Sequence, residues 1–105
     1  MRKFETLLLL SPELSPDARE ALLVKLVSII EKNKGQFTVN HWGMRDLAYP
    51  VQKHMRGYYV LLEYTTYPNI IEELERIIRI TNGIFKFMTI KLEEHIEEKQ
   101  LEEVV

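Results

Sequence analysis

The sequence predicts an α+β fold in which a four-stranded antiparallel sheet carries two helices on one face. Three observations support this prediction. Strand-like and helix-like segments follow one another in the order β-α-β-β-α-β. Each helical segment has recognisable start and stop residues and a single apolar stripe. The chain has 105 residues, of which 46% are apolar, which is enough for one hydrophobic core and too little for two.

The first strand is predicted over residues 2–10, whose side chains alternate between two faces. Its beginning carries charge on both faces, whereas residues 7–10 are all leucine. A strand end that is apolar on both faces is typical of a position inside a sheet. We therefore expect this strand to have a neighbour on each side.

The first helix is predicted to begin after the Ser- and Pro-rich break at residues 11–16. Ser15 can cap the first turn, Pro16 suits the first helical position, and Asp17 favours the positive end of the helix dipole. Gly35 is expected to supply the left-handed stop. The stripe predicted to face the sheet comprises Ala18, Leu22, Leu23, Leu26, Val27, Ile29 and Ile30.

Two further strands are predicted to form a long hairpin. Residues 37–42 alternate in polarity, and residues 58–64 are rich in aromatic and β-branched side chains. Residues 54–57 are expected to form the mobile tip or a late loop of this hairpin. Bends are expected at Gly43, Pro50 and Gly57.

A second helix is predicted to begin at residues 66–69 and to end at residues 81–83, before a fourth strand at residues 84–92. Residues 93–105 contain six acids and one lysine. We expect a single domain over residues 1–92, followed by an acidic and flexible tail over residues 93–105. The predicted buried stripe of the second helix is Ile70 or Ile71, Leu74, Ile77 and Ile78.

This order of elements predicts the topology. Each helix is expected to cross over right-handedly and to return its strand two positions away. Interleaving the two units gives the ferredoxin-like fold, with strand order 4-1-3-2 and both helices on one face. The opposite face of the sheet is left uncovered and is the expected binding surface.

The residue types argue against catalysis. There is no cysteine, and the three histidines lie on different segments without the spacing of a metal pair. The sequence contains neither a glycine-rich phosphate loop nor a serine in a nucleophile-elbow context. We therefore expect no enzymatic activity, no metal or other cofactor, and no small-molecule substrate.

The chain also has no feature of a membrane or secreted protein. No segment reaches the run of about 18–20 apolar residues that spans a bilayer. The N-terminus lacks the small-residue cleavage site of a secretory signal. The sequence thus predicts a cytoplasmic protein without a membrane partner.

The formal net charge of −2 hides an uneven distribution. Residues 1–92 contain 13 of the 14 cations but only 10 of the 16 acids, so this part of the chain carries +3. A mildly basic domain with an acidic tail occurs among nucleic-acid-binding proteins. A solvated tail without a partner explains the same pattern equally well.

Rings and cations are interleaved over residues 41–53, without a residue suited to be a nucleophile. Such residues can stack on bases and neutralise phosphates, whereas an ordinary hairpin with a buried Trp and Tyr is the simpler interpretation. Each cation could equally serve solubility, and strand alternation must send either Tyr58 or Tyr59 inward. The candidate cations are Arg2, Lys3, Arg45, Lys53, Arg56, Lys86 and Lys91, and the candidate rings are Phe4, Trp42, Tyr49, Tyr58 and Tyr59. Because the strands lack the aromatic signature of an RNA-recognition module, we expect contacts to the RNA backbone more than to base edges.

The motif at residues 43–53 resembles the signature of the bacterial small-subunit ribosomal protein six family. Its matching residues are Gly43, Arg45, Leu47, Ala48, Tyr49, Pro50, Val51 and Lys53. Further similar positions extend from residues 1–5 through residues 57–59 and 79–80 to residues 86–88. The resemblance therefore covers almost the whole of residues 1–91.

The resemblance implies a ferredoxin-like fold and a structural, non-catalytic role in the ribosome. It also implies binding to the central domain of the small-subunit (16S) ribosomal RNA, together with small-subunit ribosomal protein eighteen. The implied RNA contacts are Arg2, Lys86, Lys91, Arg45, Lys53 and Arg56, and the implied partner contacts are Trp42, Tyr49 and Tyr59. The family commonly has arginine where this chain has Lys86, so a bidentate phosphate clamp is not expected there.

Two other functions are compatible with the same fold. A small regulatory domain could bind a metabolite or dimerise through its open sheet face, although residues 11–16 do not resemble a ligand-binding loop. A chaperone-like or scaffold protein could bind a peptide at the sheet edge.

Overall fold

The computed structural model describes residues 1–92 and confirms the predicted order of elements. These are β1 (Arg2–Leu10), α1 (Pro16–Lys32), β2 (Phe37–Val51), β3 (His54–Thr66), α2 (Pro68–Ile80) and β4 (Ile84–Leu92). All neighbouring strands are antiparallel, in the order β2-β3-β1-β4, which is the predicted order read from the other edge. The acidic tail expected over residues 93–105 lies outside the described residues.

The central position of β1 is confirmed. It pairs with β3 along its whole length, from Arg2 opposite Thr66 to Leu10 opposite Tyr58. On its other side it pairs with β4. The even-numbered side chains of β1 face the helices, and Leu8 and Leu10 are 0% exposed there.

Both helices contribute fully buried side chains to the core. Leu26 and Leu74 are 0% exposed, as their stripes predict. Ile29, which the stripe predicts as a core contributor, is partly buried and packs against the edge of the core, whereas its neighbour Ile30, in the same predicted stripe, is 0% exposed. The sheet-facing stripe of α1 therefore follows Leu22, Leu23, Leu26, Val27 and Ile30, so that Ala18 stays exposed. On α2 the buried positions are Ile70, Leu74 and Ile78.

The two ends of α1 are formed differently from one another. Ser15 caps the first turn as predicted, and its Oγ accepts a hydrogen bond of 3.1 Å from the Ala18 amide. The left-handed residue at the other end is Lys34, with φ 65°, and not Gly35 as predicted. Gly35 is required for another reason: a Cβ at this position would overlap the carbonyl oxygen of Thr65.

The predicted mobile loop at residues 54–57 is wrong. These residues belong to β3, and β2 continues as far as Val51, which pairs with His54. The tip is a two-residue turn at Gln52 and Lys53, whose φ values are 50° and 66°. Positive φ at both positions is the type I′ geometry, whose twist matches that of the strands. The sequence signal was missed because this turn lacks the usual Asn-Gly or Asp-Gly pair.

Candidate protein and nucleic-acid interface

The face of the sheet opposite the helices carries the odd-numbered side chains of β1 and their cross-strand partners. We call it the open face; it includes Glu5, Leu7 and Leu9 of β1, Tyr59, Leu61 and Glu63 of β3, and Lys86, Met88 and Ile90 of β4. Met88 and Ile90 are 56% and 48% exposed. An apolar band thus lies uncovered by residues 1–92 on this face.

The hairpin of β2 and β3 extends beyond the end of β1 and bends over the open face. We call residues 43–57 the hairpin arm. The Lys86 Nζ on β4 donates a hydrogen bond of 2.9 Å to the Tyr49 hydroxyl on β2. Because β2 and β4 are the opposite edges of the sheet, this contact requires the arm to cross the sheet. At its tip, the His54 ring lies 5.4 Å from the Phe85 ring, and its Nε2 lies 3.0 Å from Glu13 Oε1.

A cleft of about 370 Å³ lies where the arm meets the open face. Its lining comprises Leu7, Leu9, Tyr49, Tyr59, Lys86, Phe87 and Met88. A small glycine lets the arm come close, because a Cβ at Gly57 would overlap the Leu9 side chain. The cleft is apolar except for the Lys86 ammonium and the tyrosine hydroxyls, so it suits an apolar group that carries a polar or anionic end.

Rings and cations form a row along the arm and at its base, where Trp42 and Tyr59 lie. The rings of Trp42 and Tyr59 have centroids 6.3 Å apart, and the Arg45 guanidinium lies 5.5 Å from the Trp42 ring. On the other side of the cleft, the Lys86 ammonium lies 4.8 Å from the Tyr49 ring. Cations near ring faces are attracted by the ring quadrupole. The predicted partner-binding rings are therefore brought together on one surface.

Two ionisable groups of the arm respond to these contacts. The hydrogen bond from Lys86, assisted by the charge of its ammonium, lowers the pKa of Tyr49. The hydrogen bond to Glu13 raises the pKa of His54 above the ordinary value of 6.5. Both contacts link the arm to other segments and involve exposed groups.

The structure separates the three cations expected to face RNA from the first and last strands. Lys91 pairs with Phe4 across the sheet, and Phe4 faces the helices. Strand alternation therefore places Arg2 and Lys91 on the helix side, at the end where β1 begins. Lys86 pairs with Leu9 on the open face. Leu9 is five residues further along β1 than Phe4, so Lys86 lies roughly 17 Å from Lys91 along the strand direction.

The other predicted cations belong to the arm. Lys53 occupies the tip and is exposed. Arg56 forms an ion pair with Asp46, with an Nε to Oδ1 distance of 3.2 Å, although both side chains are largely exposed. Such a pair contributes little to stability and can exchange for a phosphate. Arg45 lies against Trp42 as described above.

Sequence reasoning missed the exposed apolar side chains Met88 and Ile90. The period-two pattern of residues 86–92 contained the signal, since Lys86, Met88 and Ile90 share a face. The alternation of side chains along a strand correctly predicted that one of the two adjacent tyrosines faces the core. Tyr58 faces the helices, where the Arg19 guanidinium lies 3.6 Å from its ring centroid, and Tyr59 remains on the open face.

Groups that could coordinate a metal ion are not assembled within residues 1–92. No helix in this part of the chain is long and apolar enough to cross a membrane. The open face, the arm and the cations can bind polymers and proteins through rings, apolar contacts and charge. Fold and surface together define a class of small ferredoxin-like proteins that act through an uncovered sheet.

Comparison with known proteins shows to which family of this class the chain belongs. The family model described as ribosomal protein S6 matches residues 3–91. The small ribosomal subunit protein bS6 of Nitratidesulfovibrio vulgaris strain DP4 is 66% identical over 99 residues, which are 93% of this chain and 98% of that protein. The bS6 protein of Caldanaerobacter subterraneus subsp. tengcongensis is 39% identical over 95 residues, covering 90% of this chain and 100% of that protein.

Solved structures agree with this result. The crystal structure of 30S ribosomal protein S6 from Thermotoga maritima has a TM-score of 0.83 at 27% identity, covering 99% of this chain and 98% of that one. The C-terminal domain of the MgtC protein from Mycobacterium tuberculosis has a TM-score of 0.53 at 12% identity, which reflects the fold alone. The chain belongs to the ribosomal protein S6 family. It is a structural, non-enzymatic component of the small subunit of the bacterial ribosome, and its place is the cytoplasmic ribosome.

Proposed function

We propose that this protein binds the central domain of the small-subunit (16S) ribosomal RNA and pairs there with small-subunit ribosomal protein eighteen. The observation that carries the proposal is the row of rings and cations on an uncovered sheet face, in a chain of the ribosomal protein S6 family. Rings and apolar side chains suit a protein partner, whereas cations suit phosphates.

The separation of the cations suggests two surfaces. Arg2 and Lys91 lie on the helix side of the sheet and would contact RNA phosphates. Trp42, Tyr49 and Tyr59 lie on the open face and would contact the protein partner. Lys86 lies beside the partner rings, so it would reach RNA only at the boundary between the two ligands.

The arm supplies the remaining RNA contacts in this proposal. Lys53 projects from the turn at the tip, Arg45 lies on the Trp42 ring, and Arg56 lies beside Asp46. A charge of +3 on residues 1–92 is small for tight RNA binding by this protein alone. A basic partner would add cations and increase affinity by making the complex cooperative.

The experiment is a filter-binding titration of the central-domain RNA with ribosomal protein eighteen present, at several salt concentrations. Each lost phosphate contact should reduce the log–log salt slope by about one unit. We expect a reduction of about two units for the double variant Arg2→Ala/Lys91→Ala and at most about one unit for Lys86→Ala. Lys25→Ala, an exposed cation of α1, is the matched control and should leave the slope unchanged.

The triple variant Arg2→Ala/Lys86→Ala/Lys91→Ala decides the outcome. If its affinity and salt slope equal those of the wild type in the presence of the partner, these cations do not form the RNA site. If the wild type binds the RNA equally well with and without the partner, cooperative pairing is wrong.

A further inference from the structure

Two acidic side chains lie opposite one another on neighbouring strands at the centre of the open face. Glu5 of β1 is directly opposite Glu63 of β3 in the antiparallel register. Directly opposed residues have Cβ atoms about 4.5–5.5 Å apart, and like charges in this position destabilise the sheet. Both side chains are half-buried.

No ion pair within residues 1–92 neutralises this acidic pair. Glu63 Oε1 accepts a hydrogen bond of 2.5 Å from the Asn40 amide, which fixes the carboxylate without removing its charge. Lys3 lies on the same face, two residues before Glu5 on β1. Together with Glu63 it lines a hollow of about 270 Å³, but within residues 1–92 it forms no ion pair with either glutamate.

Apolar side chains flank the acidic pair on two sides. Ile90 is directly opposite Glu5 on β4, and Leu7 separates the acidic pair from the cleft beneath the arm. Two residues along a strand span roughly 7 Å. A ligand on this face would therefore bury apolar groups and present positive charge at a neighbouring position.

We propose that the open face docks a segment of the protein partner in which a lysine or arginine lies next to apolar side chains, with its cation between Glu5 and Glu63. This inference rests on the proposed pairing and adds the chemistry that selects the partner segment. The occupant follows from charge complementarity, since both carboxylates would otherwise stay uncompensated beneath a covering surface.

The same charges disfavour the other occupants. RNA phosphates would be repelled by two carboxylates in the middle of the face. A second copy of this chain, docked symmetrically through its own open face, would bring a second acidic pair against the first. A basic and apolar protein segment avoids both penalties.

The test is isothermal titration calorimetry of the full chain with ribosomal protein eighteen at several salt concentrations. The double variant Glu5→Gln/Glu63→Gln keeps the side-chain shape and removes the charge. We expect its affinity to fall at least about tenfold, with a weaker salt dependence than the wild type. The matched control Glu72→Gln/Glu73→Gln, on the exposed side of α2, changes the net charge equally and should retain wild-type affinity.

Thermal unfolding of the uncomplexed proteins supplies the second readout. Removing a like-charge pair should raise the midpoint of the double variant or leave it unchanged. Weaker partner binding in a protein of equal or greater stability is a result that a purely structural role for these glutamates would not give.

The alternative outcomes are distinct. If the wild type and the double variant bind the partner with equal affinity, the docking inference is wrong and the proposed pairing stands. If the wild type does not bind ribosomal protein eighteen, both are wrong. If the double variant binds RNA more tightly than the control variant does, the open face is an RNA-binding surface. If the wild type self-associates and the double variant self-associates more strongly, the open face binds a second copy of this chain.

Discussion

Truncation of Leu26 to alanine should lower the free energy of unfolding by about 3 kcal/mol, within a range of about 2–5 kcal/mol. Leu26 lies in the middle of α1, is 0% exposed and packs within the core cluster. Loss of its three terminal carbons removes roughly 2.4 kcal/mol of transfer free energy at about 0.8 kcal/mol per carbon. A cavity term adds to this loss because helix and sheet can collapse only partly around the site.

Urea unfolding monitored by far-ultraviolet circular dichroism measures this loss. With a slope of about 1–3 kcal/mol per molar urea, the midpoint should fall by about 1–3 M without a change of slope. Val24→Ala on the same helix is the control, because Val24 is 52% exposed and its truncation should cost less than about 0.5 kcal/mol. A loss below about 1 kcal/mol for Leu26→Ala, or equal losses for both variants, would refute the assignment of this face to the core.

Three further predictions concern the hairpin arm. Gly57→Ala should lower the free energy of unfolding by about 1–3 kcal/mol because its Cβ would overlap the Leu9 side chain; calorimetric melting checks this, and an unchanged midpoint would contradict it. Lys53→Gly should raise the free energy of unfolding by up to about 1 kcal/mol, since relief of about 1–2 kcal/mol of left-handed backbone strain exceeds the cost of the added unfolded-state entropy. A lower free energy of unfolding in urea would count against the left-handed conformation of Lys53. An NMR titration should find the pKa of His54 above 6.5 and lower in a Glu13→Gln variant. Because the folded pKa is raised, this contact stabilises the protein most below pH 6.5, and its contribution is lost as the pH rises through the folded pKa. A stability difference between wild type and Glu13→Gln that grows with pH would contradict the sign.

Local signals were sufficient for most of the fold. The cap at Ser15 and the apolar stripes of both helices defined where each helix lies and which side it buries. The four leucines at residues 7–10 indicated a central strand. Since right-handed crossovers leave few alternatives, this order of elements led directly to the topology.

The hairpin arm could not be derived in the same way. The turn at Gln52 and Lys53 has positive φ at both residues without the glycine or asparagine that usually marks such a turn. Its course across the sheet depends on tertiary contacts, such as that between Tyr49 and Lys86, which are 37 residues apart. Periodicity reports the local environment of a segment and contains no information on such distant pairings.

The candidate site was only partly predictable for a related reason. Residue type suggested which cations and rings could bind, whereas the surface on which each lies depends on strand register. Register places Arg2 and Lys91 away from Lys86 and brings Glu5 opposite Glu63. The acidic pair combines residues 58 positions apart, so neither glutamate stands out in the sequence alone.

The strand β2 also bears on aggregation, because it is an edge strand whose outer backbone groups have no neighbouring strand within residues 1–92. A long flat edge is a template onto which another chain can add a strand. Here the regular ladder runs only from Phe37 to His41 before the register shifts, and it is interrupted again between Asp46 and Val51. Pro50, within the second interruption, has no amide hydrogen to donate. These irregularities shorten the stretch on which intermolecular sheet growth could begin, so copies that await assembly have a reduced tendency to form fibrillar aggregates.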